Sequence, residues 1–265
     1  LEICRLVEGM PLALELAAGW TRTMSCGEIA GELARGIDIL TTTHRDMPAR
    51  HRSMAAVFDH SWHLLTEVQQ AAFRQLSVFR GGWTTEAAEQ VAGADGALLA
   101  LLADKSLVQR DATGRWGMHE LVRQYAAQQL RAAGEEADVC ARHAAYIREL
   151  TARAEPDLIT AGQPEWLHRL DAEQGNLRAA LAWSLAGGDR ACGVEIAGTV
   201  MWYWFLRGQL LEGRHWLEPA VVLGRQLGAS HALTKILEAL GLFIGFEGDL
   251  DRARELLQEG ETVGR

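Results

Sequence analysis

Two segments of the sequence repeat one another at a separation of 40 residues. Residues 207–220 read RGQLLEGRHWLEPA and residues 247–260 read EGDLDRARELLQEG. Gly208 aligns with Gly248, Leu210 with Leu250, Arg214 with Arg254 and Leu217 with Leu257. In each copy a glycine turn is expected to join two helices, and a small residue (Gly213, Ala253) falls where the helices must approach closely. One such unit cannot bury its apolar face alone, so it stacks on its neighbours and an array of helices follows. The rest of 135–265 agrees. Residues 139–154 are amphipathic and Pro156 stops them; Pro164 then opens PEWLHRLDAEQGNLRAALAWSLA, read as a single helix. Its apolar face is Trp166, Leu167, Leu170, Leu177, Leu181 and Trp183. Trp202, Tyr203, Trp204 and Phe205 cannot all face one core. They either pack between repeats or line a groove for a ligand or peptide.

Residues 53–134 follow a different pattern. Met54, Val57, Phe58, Trp62 and Leu65 share one side of a predicted helix. Thr66 and Gln69 have the form of a capping box and open a second helix, which carries Ala72, Phe73 and Leu76. Gly81-Gly82 breaks the chain; TEAAEQVA and ADGALLALLADKS supply two more helices. Leu107 to Arg110 and Arg115 to Met118 are expected to pair across a turn at 111–114, as the only substantial β-structure of the chain. Helices closed by one hairpin make a winged-helix pattern. The hairpin hands over to a helix with Leu121, Val122, Tyr125, Ala126 and Leu130 on its apolar side. His119 stands at that junction, beside N–H groups that have no intrahelical acceptor and favour an anion. The residue types alone equally allow an ordinary cap.

Residues 1–43 read as helical. Gly9-Met10-Pro11 separates two apolar stretches, and Pro11 suits a first helical position because it needs no donor there. Ser25 and Glu28 form a second capping-box pattern, opening a helix to about Arg35. Taken by spacing, Gly9 and Pro11 are a simple helix break. Residues 44–52, RDMPARHR after His44, are basic, proline-broken and without apolar period, so they read as a solvated linker; a second reading has Arg50 or Arg52 reaching a phosphate.

Several classes of function fall away. A net charge of −9 argues against a general nucleic-acid surface, and the third helix of the winged-helix pattern offers Glu86 and Glu89 with no Lys or Arg. Cys4, Cys26, Cys140 and Cys192 form no C-x-x-C pair, which fits thiols in a reducing compartment. The apolar run at 200–206 is far below the ~20 residues of a spanning helix. His60 and His63 lack a third ligand at fixed spacing, so zinc is not expected. No G-x-S-x-G elbow occurs, and no G-x-x-x-x-G-K-[ST] loop, so the chain cannot hydrolyse a nucleotide alone. It opens on Leu1 and stops in mid-pattern at Arg265, and is expected to be part of something larger.

GMPLALELAA resembles the G-x-P segment that ends the nucleotide-binding region of STAND-class signal-transduction NTPases, the group that includes NB-ARC proteins and AfsR-like bacterial regulators. SWHLLTEVQQAAFRQLSVFRGGWTTEAAEQV and LLADKSLV resemble the winged-helix segment of the AfsR-like members, and LDAEQGNLRAALAW with GQLLEGRHWL resembles their tetratricopeptide-like repeats. The resemblance spans nearly the whole chain, though the 40-residue offset exceeds the usual ~34-residue period. It implies that Pro11 packs on adenine, that Gly9 allows close approach, and that the histidine of a Met-His-Asp motif contacts the β-phosphate of ADP. Here the motif reads Met118-His119-Glu120, with Glu120 in place of the aspartate.

The resulting expectation is a mostly α chain: a helical arch segment (1–43), a linker (44–52), a winged-helix domain with one small hairpin (53–134) and a tetratricopeptide-like α-solenoid (135–265). By the resemblance it belongs to a cytoplasmic regulator of transcription, switched by ATP and ADP with magnesium in the full-length protein, a slow ATPase. The isolated chain should hold no cofactor. Implied partners are the protein's own P-loop domain, a protein or small-molecule signal on the repeats, and a nucleotide-dependent oligomer, without a membrane or direct DNA contact. The rivals are a tetratricopeptide-type scaffold without nucleotide linkage and a DNA-binding winged-helix protein.

Overall fold

The computed structural model describes residues 2–42 and 53–265. The predicted linker, with Arg50 and Arg52, lies outside the described residues. Contacts divide the chain into two units, Leu1–Val78 with Gly82–Glu136, and Phe79–Gly81 with Ala137–Arg265. The architecture is mostly helical with one two-stranded antiparallel sheet among the described residues.

The first unit begins with α1 (Glu2–Leu6), α2 (Pro11–Gly19) and α3 (Cys26–Arg35). Pro11 is the first residue of α2, where its missing N–H costs nothing. Ser25 and Glu28 form the reciprocal cap at the start of α3. Next come α4 (Met54–His63) and α5 (Glu67–Gln75), the latter opened by the Thr66–Gln69 box. Caps of this kind contribute about 1 kcal/mol each. The unit continues through α6 (Thr85–Ala92), α7 (Gly96–Asp104), β1 (Gln109–Arg110), β2 (Trp116–Gly117) and α8 (Glu120–Ala132). Tyr125 of α8 packs its ring on Phe58 and Trp62 of α4, at 5.7 and 6.4 Å between centroids.

The hairpin is shorter than its sequence pattern. Only Gln109 with Gly117 and Arg110 with Trp116 pair. Leu107 is taken by the end of α7, its N–H donating to Leu102 O at 3.1 Å, and Leu107 and Val108 are buried. The other edge of β2 is occupied as well, because Trp83 and Trp116 exchange two backbone hydrogen bonds of 2.8 Å.

The second unit contains α9 (Glu136–Ala154), α10 (Gln163–Ala172), α11 (Gln174–Leu185), α12 (Arg190–Thr199), α13 (Met201–Leu206), α14 (Leu210–Leu227), α15 (His231–Phe246) and α16 (Leu250–Val263). The single helix expected after Pro164 is in fact two, parted at Glu173. Glu173 and Asn176 turn inward there: Asn176 Nδ2 donates to the Glu173 carboxylate at 2.6 Å, and Asn176 Oδ1 accepts from Arg80 N at 2.7 Å. A Cβ on Gly175 would stand 2.6 Å from Arg80 O, so backbone passes directly over the break.

The repeat is visible as two stacked helix pairs, α12–α13 with α14 and α15 with α16. Gly208 and Gly248 both adopt positive φ in the connecting turns. Tyr203 and Trp204 are buried, whereas Trp202 and Phe205 are half-buried, and the Phe205 ring lies 5.3 Å from Phe246 of the next pair.

Candidate functional site

The junction of hairpin and α8 places His119 and Glu120, which the sequence singles out, beside Glu8 and Arg123, which it does not. His119 is the N-cap of α8, with its Nδ1 accepting from Leu121 N at 3.2 Å. An accepting Nδ1 carries no proton, so in the neutral ring the proton sits on Nε2. Nε2 faces the Glu8 carboxylate, 3.5 Å from Oε2. The other Glu8 oxygen accepts from Glu120 N at 3.2 Å. One carboxylate therefore accepts from the Glu120 N–H and has the imidazole Nε2 within 3.5 Å at a helix N-terminus, the environment that favours negative charge.

Glu8 reaches that position because of how α1 is joined to α2. Glu8 and Gly9 are both left-handed, at φ of 45° and 73°. Gly9 N donates to Cys4 O and Met10 N to Val7 O, closing α1, after which Pro11 starts α2. A non-glycine residue in this region costs on the order of 1 kcal/mol. A Cβ at Gly9 would meet nothing within 4 Å, so conformation and not crowding by protein favours glycine. Gly9 and Pro11 are exposed on this turn. Among the described residues no hydrogen bond joins either to His119, whereas their neighbour Glu8 lies 3.5 Å from its ring nitrogen.

Glu120 is engaged on the opposite side. Its carboxylate holds Arg123 through two hydrogen bonds of 2.8 and 2.6 Å and accepts from Gln124 Nε2 at 3.0 Å. Arg123 in turn donates to Ser77 O, and Gln124 to Leu33 O, each at 3.3 Å. Glu120 thus braces the first turn of α8 against the segment after α5 and the end of α3.

Glu8 and Arg123 were not singled out by sequence. Glu8 lies 112 residues from Glu120, and no local pattern reports such a contact. Arg123 does carry a weak local sign, since Glu and Arg three apart on a helix are neighbours. Among the described residues no group of three or more His, Cys, Asp or Glu is placed to hold a metal. None of the described helices is long and apolar enough to cross a membrane.

No family model matches the chain. Proteins of Mycobacterium tuberculosis and Mycobacterium bovis named "Putative HTH-type transcriptional regulator" are 38% identical over 225 residues, covering 81% of this chain and 25% of their own length. An uncharacterized M. tuberculosis protein is 32% identical over 159 residues, 56% of this chain and 40% of its own. The chain thus spans about a quarter of the length of the regulators it matches. Among solved structures, a Signal Transduction ATPase with Numerous Domains (STAND) protein with a tetratricopeptide repeat sensor, from Pyrococcus horikoshii, aligns with a TM-score of 0.33 and 14% identity. That alignment covers 95% of this chain and 46% of that one.

Proposed function

We propose that this chain is the clamp and sensor portion of a cytoplasmic transcriptional regulator switched between ADP and ATP. The observation that carries the reading is the donor pair at the start of α8. His119 Nε2 and Glu120 N converge on a single carboxylate. Two converging donors at a helix start suit one phosphate group equally well. Bound ADP supplies a β-phosphate that is more highly charged than a carboxylate. His119 donates to that phosphate from Nε2 while Nδ1 remains fixed by Leu121 N, so no proton need be added. Glu8 has to leave, because two anions cannot share the pair. Pro11, exposed at the head of α2, offers an apolar ring for the base. The remaining phosphate contacts and magnesium belong to a P-loop domain outside this sequence.

In this reading the hairpin and α8 close on the nucleotide, and the helical repeats carry the site for a protein or small-molecule signal. A signal that binds the open state more tightly shifts the population toward exchange and assembly. The names of the mycobacterial relatives support a regulatory setting.

The test is ADP retained by purified full-length protein. Losing a hydrogen bond to a charged group costs about 1–3 kcal/mol, so His119→Ala should weaken retention roughly ten- to a hundredfold. Glu8→Gln should retain ADP at least as well as wild type, because the competing charge is gone. Equal retention by wild type and a well-folded His119→Ala protein would refute the proposal.

A further inference from the structure

A groove of about 620 Å³ lies over α12, between α9 and the turn that joins α14 to α15. Pockets for small organic molecules have volumes of roughly 300–1,000 Å³. Ala191 and Val194 of α12 form its floor, with Ala152 of α9 and Ala232 of α15 on either side. Small side chains from three helices thus leave the space open, and its surface is chiefly apolar.

The charges at its margins are unequally satisfied. Lys235 Nζ is held by both oxygens of Glu155, each at 2.7 Å, so that margin is neutralised. Arg148 has Glu195 as its ion-pair partner, 3.6 Å from Nε and beyond hydrogen-bond range. That pair is the one ion pair of its guanidinium among the described residues and no hydrogen bond closes it, although Glu195 lines the groove as well. A guanidinium fork beside an apolar floor matches a carboxylate carried on an apolar body, because the planar donors take both oxygens at once.

We infer that this groove binds a small amphipathic monoanion, an apolar body of ~10 carbons bearing one carboxylate, anchored by Arg148. The binding stands on the groove itself; that its occupant is the signal sensed by the repeats rests on the function proposed above.

Decanoate is the probe, titrated calorimetrically into the 265-residue chain, with decylammonium as a control of equal length and opposite charge. The expected result is one saturable site for decanoate and none for decylammonium. Arg148→Gln should weaken decanoate at least tenfold, as for loss of a charge-assisted hydrogen bond. Ala191→Trp and Ala152→Trp, both at exposed helical positions, should abolish binding by filling the groove, with thermal melts confirming that each variant is folded. Undiminished binding to Arg148→Gln or to the folded tryptophan variants, equal binding of decylammonium, or no binding at millimolar decanoate would overturn the inference. None of these titrations involves nucleotide, so failure here leaves the ADP experiment on His119 standing, and failure there leaves this site standing.

Discussion

His143 and His119 are placed in opposite ways by their neighbours. His119 keeps one nitrogen toward an anion at a partly open helix start. His143 of α9 is 3% exposed, with the Phe79 ring edge-on at 5.2 Å. Burial pushes its pKa down to about 4, the nearby Arg80 charge acts in the same direction, and a hydrogen bond with Asn176 opposes both. The native ring therefore stays neutral while an unfolded chain takes up a proton below about pH 6.5. Stability from this group is full above pH ~6.5 and falls as the pH drops toward 4, by about 3 kcal/mol for a difference of this size. Urea denaturation at pH 7 and pH 4.5 should show wild type losing about 2–3 kcal/mol more than His143→Gln, which has nothing to titrate at that position. Equal losses would mean that His143 is hydrated in the native state. In sequence, His143 was one polar residue within an amphipathic stretch; only its enclosure makes it titrate abnormally.

Among helical elements, the decisive feature is how closely the repeats approach. Gly213 of α14 lies where a Cβ would collide with the Phe243 ring of α15 and stand 3.1 Å from Trp204 of α13. The equivalent residue in α16 is Ala253, and there the tight glycine is Gly241 of α15, where a Cβ would stand 3.0 Å from Leu257 and 3.2 Å from Ala253 O. The two interfaces place their small residue on different partners. Gly31 of α3, in contrast, has nothing within 4 Å of its missing Cβ. Alanine is the better helix former by about 1 kcal/mol at either site. Gly31→Ala should therefore raise stability by up to ~1 kcal/mol. Gly213→Ala should lower it by about 1–3 kcal/mol, because forcing rings aside outweighs propensity. Chemical denaturation of the two variants reads the difference directly; a stabilised Gly213→Ala protein would show that Phe243 can move without cost.

At the scale of the whole molecule, charge is the property that acts. The chain carries −9 overall, and α6, the helix that a DNA-binding winged helix would direct at the groove, exposes Glu86 and Glu89. Duplex affinity comes largely from cations replacing counterions on phosphates. No specific complex tighter than micromolar is therefore expected at physiological salt. Fluorescence anisotropy with labelled duplexes checks this, and a sub-micromolar affinity that collapses with added salt would restore the DNA-binding reading.

Sequence alone determined the helical class, the caps at Ser25 and Thr66, the glycine turns at Gly208 and Gly248, and the pairing of α14 with α16 as copies. The first three depend on residues within one or two turns of each other, a period, a cap three residues ahead of its acceptor, a glycine between apolar stretches, and the last on an identity pattern that recurs 40 residues on. Tertiary structure alone decided the rest. Glu8 meets His119 because a strained turn aims it there, and the helix after Pro164 parts at Glu173 where Arg80, 96 residues from Asn176, supplies a backbone donor. Residues 107 and 108 left the predicted strand because the end of α7 and the core claimed them first. Such outcomes turn on which distant groups compete for the same donor, acceptor or apolar contact, and neither periodicity nor propensity records that competition.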